Sequence, residues 1–283
     1  MSSPLSPRDL VITQGTAAFA PFAEHAAATA AAGCRGVSIW IREYKAAIDA
    51  GAKPAELRRL LDDQGVVCND VDAHVVWAGA GNEDASPLRG LPLELCVESG
   101  QVLGARFANL VITGDEGYEF ARGADAFAAA AETTLAAGLI PTLEFVPQPV
   151  SPVDDIAKAW AIVEASGIGE AGLMLDTWHF TRGPSTLEML SEVPLDRVLG
   201  LQINDVGSEA WDDPMRETMH ARLLPGQGSA PLVPILQALD AGHAPAACTI
   251  EIFSDAHSAL DAREAVRRAV AATESVLTRA GSR

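Results

Sequence analysis

The chain has 283 residues, 48% of them hydrophobic, with 38 acidic against 20 basic side chains and a formal charge of −18. That is enough apolar material for one large core, and the acidic excess excludes a nucleic-acid backbone or an anionic membrane as an electrostatic partner. No run of about 18 apolar residues is present to span a bilayer, and Met1 to Asp9 lacks the basic and apolar regions of a secretory signal.

Asp9 to Thr13 reads as a first strand and the Ala-rich Phe19 to Ala32 as a helix. Gly36 to Trp40 is β-branched and reads as a second strand. Arg42 to Gln64, broken near Gly51 and Pro54, has helical spacing through Leu57, Leu60 and Leu61. Val66 to Val71 is a third strand, with Asp72, His74 and Trp77 after it. Gly79 to Pro92 has the composition of a long loop. Leu93 to Leu103 is a helix and Ala105 to Val111 a fourth strand.

The second half repeats the alternation more clearly. Tyr118 to Ala137 is a helix stopped by Gly138. Strand five ends at Glu144. Pro152 to Ser166 is a helix with Pro near its start and Gly167 after it. Strand six ends at Asp176, a short helix covers Ser185 to Leu190, and strand seven ends at Gln202. A long loop spans Val206 to Ser229, Pro231 to Ala241 is a helix, strand eight holds Glu251, and His257 to Ala280 is a closing helix.

Eight strand–helix units without a low-complexity linker imply a closed (β/α)8 TIM barrel in a single domain, residues 1–283, close to the usual size of about 250 residues. The alternative, an open doubly wound sheet, wants a Gly-rich phosphate turn after its first strand, and Thr13 to Ala17 holds only Gly15. The cysteines Cys34, Cys68, Cys96 and Cys248 are scattered without a C-x-x-C pair. They read as reduced core residues of a cytoplasmic protein.

In such a barrel, strand ends converge on one mouth. Glu144, Asp176, Gln202 and Glu251 then come from four consecutive strands. Carboxylates in apolar strands are costly unless compensated. The four oxygen donors suit one divalent metal ion, Mn²⁺, Mg²⁺ or Co²⁺. His179, three residues past Asp176, is placed as an acid/base beside the metal. Arg222 in the long loop is placed on a substrate oxygen anion. Trp40 and His74 are read as walls of a substrate pocket, and Asp205 as a residue that orients a ligand. His25, His243 and His257 fall on helices or their connections and are read as structural.

Leu143-Glu144, Leu175-Asp176-Thr177-x-His179, Leu201-Gln202-Ile203-x-Asp205, Arg222-x-x-Pro225-Gly226-x-Gly228 and Ile250-Glu251 together resemble the xylose-isomerase-like sugar phosphate isomerase/epimerase superfamily. The resemblance covers nearly the whole chain. It implies a barrel with Glu144, Asp176, Gln202 and Glu251 as metal ligands and with His179 and Arg222 facing substrate. Two departures weaken a ketohexose 3-epimerase reading: Gln202 stands where many epimerases have His, and Val150 where ketohexose epimerases have a second Glu. Gln at that position is similar to dehydroshikimate dehydratases. The zinc-rich apurinic endonucleases fit poorly with six histidines mostly off the strand ends.

The expected activity is therefore a metal-dependent isomerisation or epimerisation of a sugar or related polyhydroxy ketone through an enediolate. Glu144 or Glu251 takes the proton, and the other, or His179, returns it. Loss of a β-hydroxyl from a cyclic polyol ketone is the alternative outcome at such a site. A barrel that binds metal or polyol without turnover is the alternative of another class. Ala- and Leu-rich outer helices suggest a homodimer or homotetramer.

Overall fold

The strands β1 (Leu10–Thr13), β2 (Gly36–Trp40), β3 (Val67–Trp77), β4 (Phe107–Thr113), β5 (Ile140–Glu144), β6 (Gly172–Asp176), β7 (Val198–Ile203) and β8 (Ala247–Ile250) close in sequence order into a barrel. Every neighbouring pair is parallel, and β8 closes on β1 with Val11 opposite Thr249. Helices α1 (Phe22–Ala31), α2 (Ile41–Asp49), α3 (Pro54–Gln64), α4 (Leu93–Leu103) and α8 (Leu187–Glu192) belong to the outer layer of helices. The structure, a computed structural model, describes residues 5–83 and 90–281; residues 84–89 of the expected long loop lie outside that range.

Strands buried on both faces read as continuous apolar runs, and β4, β6 and β8 are buried at every position. The main core lies between barrel and helices, where Leu110, Ile112, Leu143, Leu173, Leu175, Leu201 and Ile203 meet Phe127, Ile156, Ile162 and Ile235. The apolar stripes of α5 (Phe120–Ala136), α6 (Ile156–Ser166) and α10 (Leu232–Ala241) are consumed by this packing: Phe127, Ala131, Ile162, Ile235 and Leu239 are buried. No helix among the described residues is long and apolar enough to cross a membrane.

The expected (β/α)8 barrel is therefore the observed fold, with local differences. β3 runs on to Trp77, so Asp72 and His74 lie within it. Between Val71 and His74 its register against β4 shifts by one residue, and such a bulge reverses which side chains face inward. α6 starts at Ile156, because Asp155 caps it by accepting the Lys158 N–H; Pro152 lies outside. α7 (Thr177–Arg182) follows β6 directly. The loop after β7 contains α9 (Pro214–His220), capped by Asp213 with Pro at its first position. The expected closing helix divides into α11 (Asp255–Ser258) and α12 (Ala262–Ala280), the latter capped by Asp261.

Candidate active site

Strand registers bring Trp40 level with Asp72, Val111 with Glu144, and Asp176 with Gln202 at the C-terminal rim. Glu251 follows β8 immediately, its N–H donating to the Ile203 carbonyl. Asp176 serves twice. It ends β6 and caps α7, its Oδ1 accepting the His179 N–H at 2.9 Å. This cap explains the three-residue spacing of Asp176 and His179: the first turn of α7 turns the imidazole back over the rim.

Eight side chains close a ring around the mouth. Asn109 Nδ2 donates to Glu144 Oε2 at 2.6 Å and to Asp72 Oδ1 at 2.7 Å. Gln202 Nε2 donates to Asp72 Oδ2 at 3.1 Å and to Glu251 Oε1 at 3.2 Å. Arg222 Nη1 donates to Glu251 Oε2 at 2.9 Å and to Asp176 Oδ2 at 2.6 Å. His179 closes the circle, its Nε2 3.2 Å from Glu144 Oε1. Carboxylates thus alternate with donors, and all eight residues are buried.

The charges do not balance. Asp72, Glu144, Asp176 and Glu251 face one guanidinium, with Asp70 buried below them. Burial, reinforced by the charges of Glu144 and Asp70, holds the Asp72 carboxyl well above the usual carboxylate range. Burial does the same to Glu251, against the pull of Arg222. Asp70 is pushed by burial to about 6, although Ser38 and Asn69 donate to it. Asp176 is the exception. Burial alone would raise it, but the charges of Arg222 and His179 and the His179 N–H outweigh that and lower it to about 2.

This donor set fits a divalent cation. Ligand atoms of Glu144, Asp176 and His179 lie within 4.8 Å of one another. Among the described residues, Gln202 Oε1 and His179 Nδ1 are buried without a hydrogen-bond partner, and a buried acceptor left unpaired is costly. The structure groups His179 with Glu144 and Asp176, whereas the sequence sets it apart as an acid/base. Glu251 lies outside that group, with Arg222 bonded to both it and Asp176.

Arg222, expected to hold a substrate oxygen anion, lies at the cavity and is also tied into the rim. Nε and Nη2 donate to Thr218 O and Oγ1, and the guanidinium carbon stacks 4.5 Å from the Phe253 ring centre. Asp205, expected to orient a ligand, is a loop anchor. Its carboxylate accepts the N–H groups of Val206, Gly226, Gly228 and Ala230, and its backbone pairs with Leu223 beside Arg222. Gly228 is required there, since a Cβ would lie 2.0 Å from the Val206 carbonyl oxygen.

Above the ring is a cavity of about 430 Å³, lined by Trp40, Glu144, Val146, His179, Met215, Met219, Arg222, Glu251 and Phe253. Trp40 and Phe253 pack with ring centres 5.0 Å apart and form an aromatic wall. His74 falls outside this lining. The bulge in β3 puts Ala73 and Val75 at the cavity instead, and His74 Nδ1 is 3.0 Å from the Leu91 carbonyl oxygen. His25 and His257 are buried against the Ile12 and Thr16 carbonyls, as structural histidines would be.

Asp72 and Asn109 are the site residues that the sequence reading passes over. The available signal was parity: Asp70 and Asp72 alternate in an apolar strand, so both point to the barrel interior. Asn109 is the lone amide in the apolar run from Phe107 to Ile112.

A closed parallel barrel with a buried carboxylate-rich rim under an aromatic-walled cavity defines a small-molecule site at the usual face of this fold. The chain belongs to the xylose isomerase-like TIM barrel family, whose description matches residues 26–274. It is 29% identical over 143 residues to a protein named inosose isomerase from Halalkalibacterium halodurans, a match covering 50% of this chain and 49% of that one. The chain thus spans about half the length of the curated relatives it matches. Among solved structures, the IolI protein with a bound zinc atom superposes with a TM-score of 0.82 at 20% identity, covering 96% of this chain and 98% of that one. A D-psicose 3-epimerase solved with D-fructose superposes at 0.69 and 18% identity, covering 95% and 99%. At these identities the two structures speak to the fold.

Proposed function

We propose that this protein is a divalent-metal-dependent isomerase or epimerase of a polyhydroxy ketone, with cyclic ketones of the inosose type as the leading substrate class. The observation that carries this reading is the rim itself, where four carboxylates are buried together and the one guanidinium among them pairs with only two, Asp176 and Glu251, and the Gln202 oxygen is left open among the described residues. The name inosose isomerase, borne by relatives that match half of the chain, supports the substrate class. A cavity of about 430 Å³ with an aromatic wall suits one polyol ring.

Glu144, Asp176, Gln202 and Glu251, with His179 beside them, would hold the ion, which when bound supplies Lewis-acid polarisation of a carbonyl. The chain's own residues do the rest. Trp40 and Phe253 offer an apolar face to the C–H side of the ring. Glu144 and Glu251 stand three strands apart on the barrel. One removes the proton next to the carbonyl; return from the other side inverts that carbon, and return to the neighbouring carbon moves the carbonyl. His179 Nε2, 3.2 Å from Glu144 Oε1, passes the proton to or from that carboxylate. Arg222 holds Asp176 and Glu251 in place and keeps Asp176 ionised.

The test is product analysis by NMR on a panel of inososes, ketohexoses and dehydroshikimate, with the protein first chelated and then reloaded with Mn²⁺. Metal-dependent conversion of an inosose to an isomer supports the reading. Loss of water from any of them transfers the site to the lyases. Equal turnover after complete chelation sinks the metal dependence.

A further inference from the structure

Gln202 raises a question that a histidine at the same place would not. An amide can ligate a cation only through its oxygen. Rotated by half a turn, it would present NH₂ to the ion and repel it. Something must set the rotation.

The structure assigns that task to Asp72, an inference that rests on the metal site proposed above. Gln202 Nε2 lies 3.1 Å from Asp72 Oδ2 and 3.2 Å from Glu251 Oε1. These two carboxyl oxygens accept from the Gln202 amide nitrogen, so both of its hydrogens are used. Oε1 is thereby turned away, buried and without a partner among the described residues. Asp72 is itself held. Its Oδ1 accepts from Asn109 Nδ2 at 2.7 Å, and the Asn109 rotation is fixed in turn by Thr142 Oγ1, which donates to Asn109 Oδ1 at 3.0 Å. The chain Thr142, Asn109, Asp72, Gln202 therefore transmits one orientation across β5, β4, β3 and β7 to a single oxygen. Asp72 is a positioning residue for the cation site, acting through Gln202.

The geometry makes Asp72→Asn informative. An amide at position 72 must face both Asn109 Nδ2 and Gln202 Nε2, which are both donors, so one side meets nitrogen with nitrogen. Gln202 is then free to turn.

The experiment is calorimetric titration of chelated protein with Mn²⁺, so it reads binding and not turnover. Asp72→Asn is expected to weaken Mn²⁺ binding about 10–100-fold, the usual range for residues that orient a ligand. In a Gln202→Ala background the same change should add no more than about twofold, since Asp72 then has nothing to orient. Thr142→Val removes the donor that fixes the Asn109 rotation; it should weaken Mn²⁺ binding in the same direction as Asp72→Asn with Gln202 in place and leave it unchanged in the Gln202→Ala background, and it serves if Asp72→Asn folds poorly. Wild-type protein that binds no Mn²⁺ overturns both this inference and the metal site it rests on. Wild-type binding with an unchanged Asp72→Asn overturns this inference alone; a raised KM at saturating Mn²⁺ would then give Asp72 to the substrate. Equal losses in the wild-type and Gln202→Ala backgrounds would also overturn it.

Discussion

Replacing Arg222 by Met keeps a side chain of similar length and removes the guanidinium that bridges two of the four rim carboxylates, Asp176 and Glu251. Arg222 Nη1 lies 2.6 Å from Asp176 Oδ2 and 2.9 Å from Glu251 Oε2, with all three side chains buried. Breaking a buried pair by removing one partner costs about 3–5 kcal/mol, because the remaining charge is stranded. The carboxylate gives an independent check on scale. Asp176 is lowered from 3.8 to about 2, a difference worth about 2 kcal/mol at 1.36 kcal/mol per pKa unit. A lowered carboxylate stabilises the fold above its unfolded pKa and loses that contribution only as pH falls through about 2. In the variant, burial is unopposed by Arg222 and the carboxyl moves upward, so stability declines as pH rises. The gap between wild type and variant must therefore widen from about pH 5 to about pH 8. Urea unfolding of chelated protein at both pH values measures it. A gap under about 1 kcal/mol, or the same gap at both pH values, would refute the role given to Arg222.

Mn²⁺ should bind more tightly as pH rises, because the raised Asp72 and Glu251 carboxyls must lose protons to admit it; titration in two buffers of different ionisation enthalpy should show proton release, and a pH-independent affinity would contradict this. Asp205→Ala should expose the amides of Gly226, Gly228 and Ala230 to rapid hydrogen exchange and cost at least about 1–3 kcal/mol, the cost of one buried donor left unpaired; unaltered exchange would show that the loop is held by something else. Gly172→Ala places a Cβ 2.4 Å from the Arg197 carbonyl oxygen, and the forced shift of β6 against β7 should cost about 1–3 kcal/mol in a thermal melt.

The barrel and its second half were legible because β5 and β6 each end in a carboxylate after a mostly apolar run, β7 carries Gln202 one residue before its end, and Glu251 follows the apolar β8 directly. Burial of such residues is costly enough to announce a site. Position at a strand end, however, says nothing of partners. Arg222 reads equally well as a substrate anchor or as a counter-ion, since both uses need one guanidinium at the mouth, and its ion pairs with Asp176 and Glu251 come from strands that the sequence does not set beside it. Asp205 reads as a ligand-orienting group because a carboxylate two residues after Gln202 looks like a site residue, while its four backbone donors come from residues up to 25 positions away. His74 was misplaced by a one-residue bulge, to which a local pattern is blind. Helices α7 and α9 escaped notice because each is short and takes its start from a side-chain cap.

The central claim, a proton moved next to a carbonyl at this rim, is tested most directly in heavy water. Mn²⁺-loaded protein would be incubated with an inosose in D₂O and the recovered ketones analysed by mass spectrometry and NMR. The account predicts deuterium at the carbon beside the carbonyl in the substrate pool or its isomer, with mass otherwise unchanged. Exchange should disappear after chelation and in Glu251→Gln. No exchange on any inosose or ketose, or a product lighter by one water as the sole outcome, would contradict it.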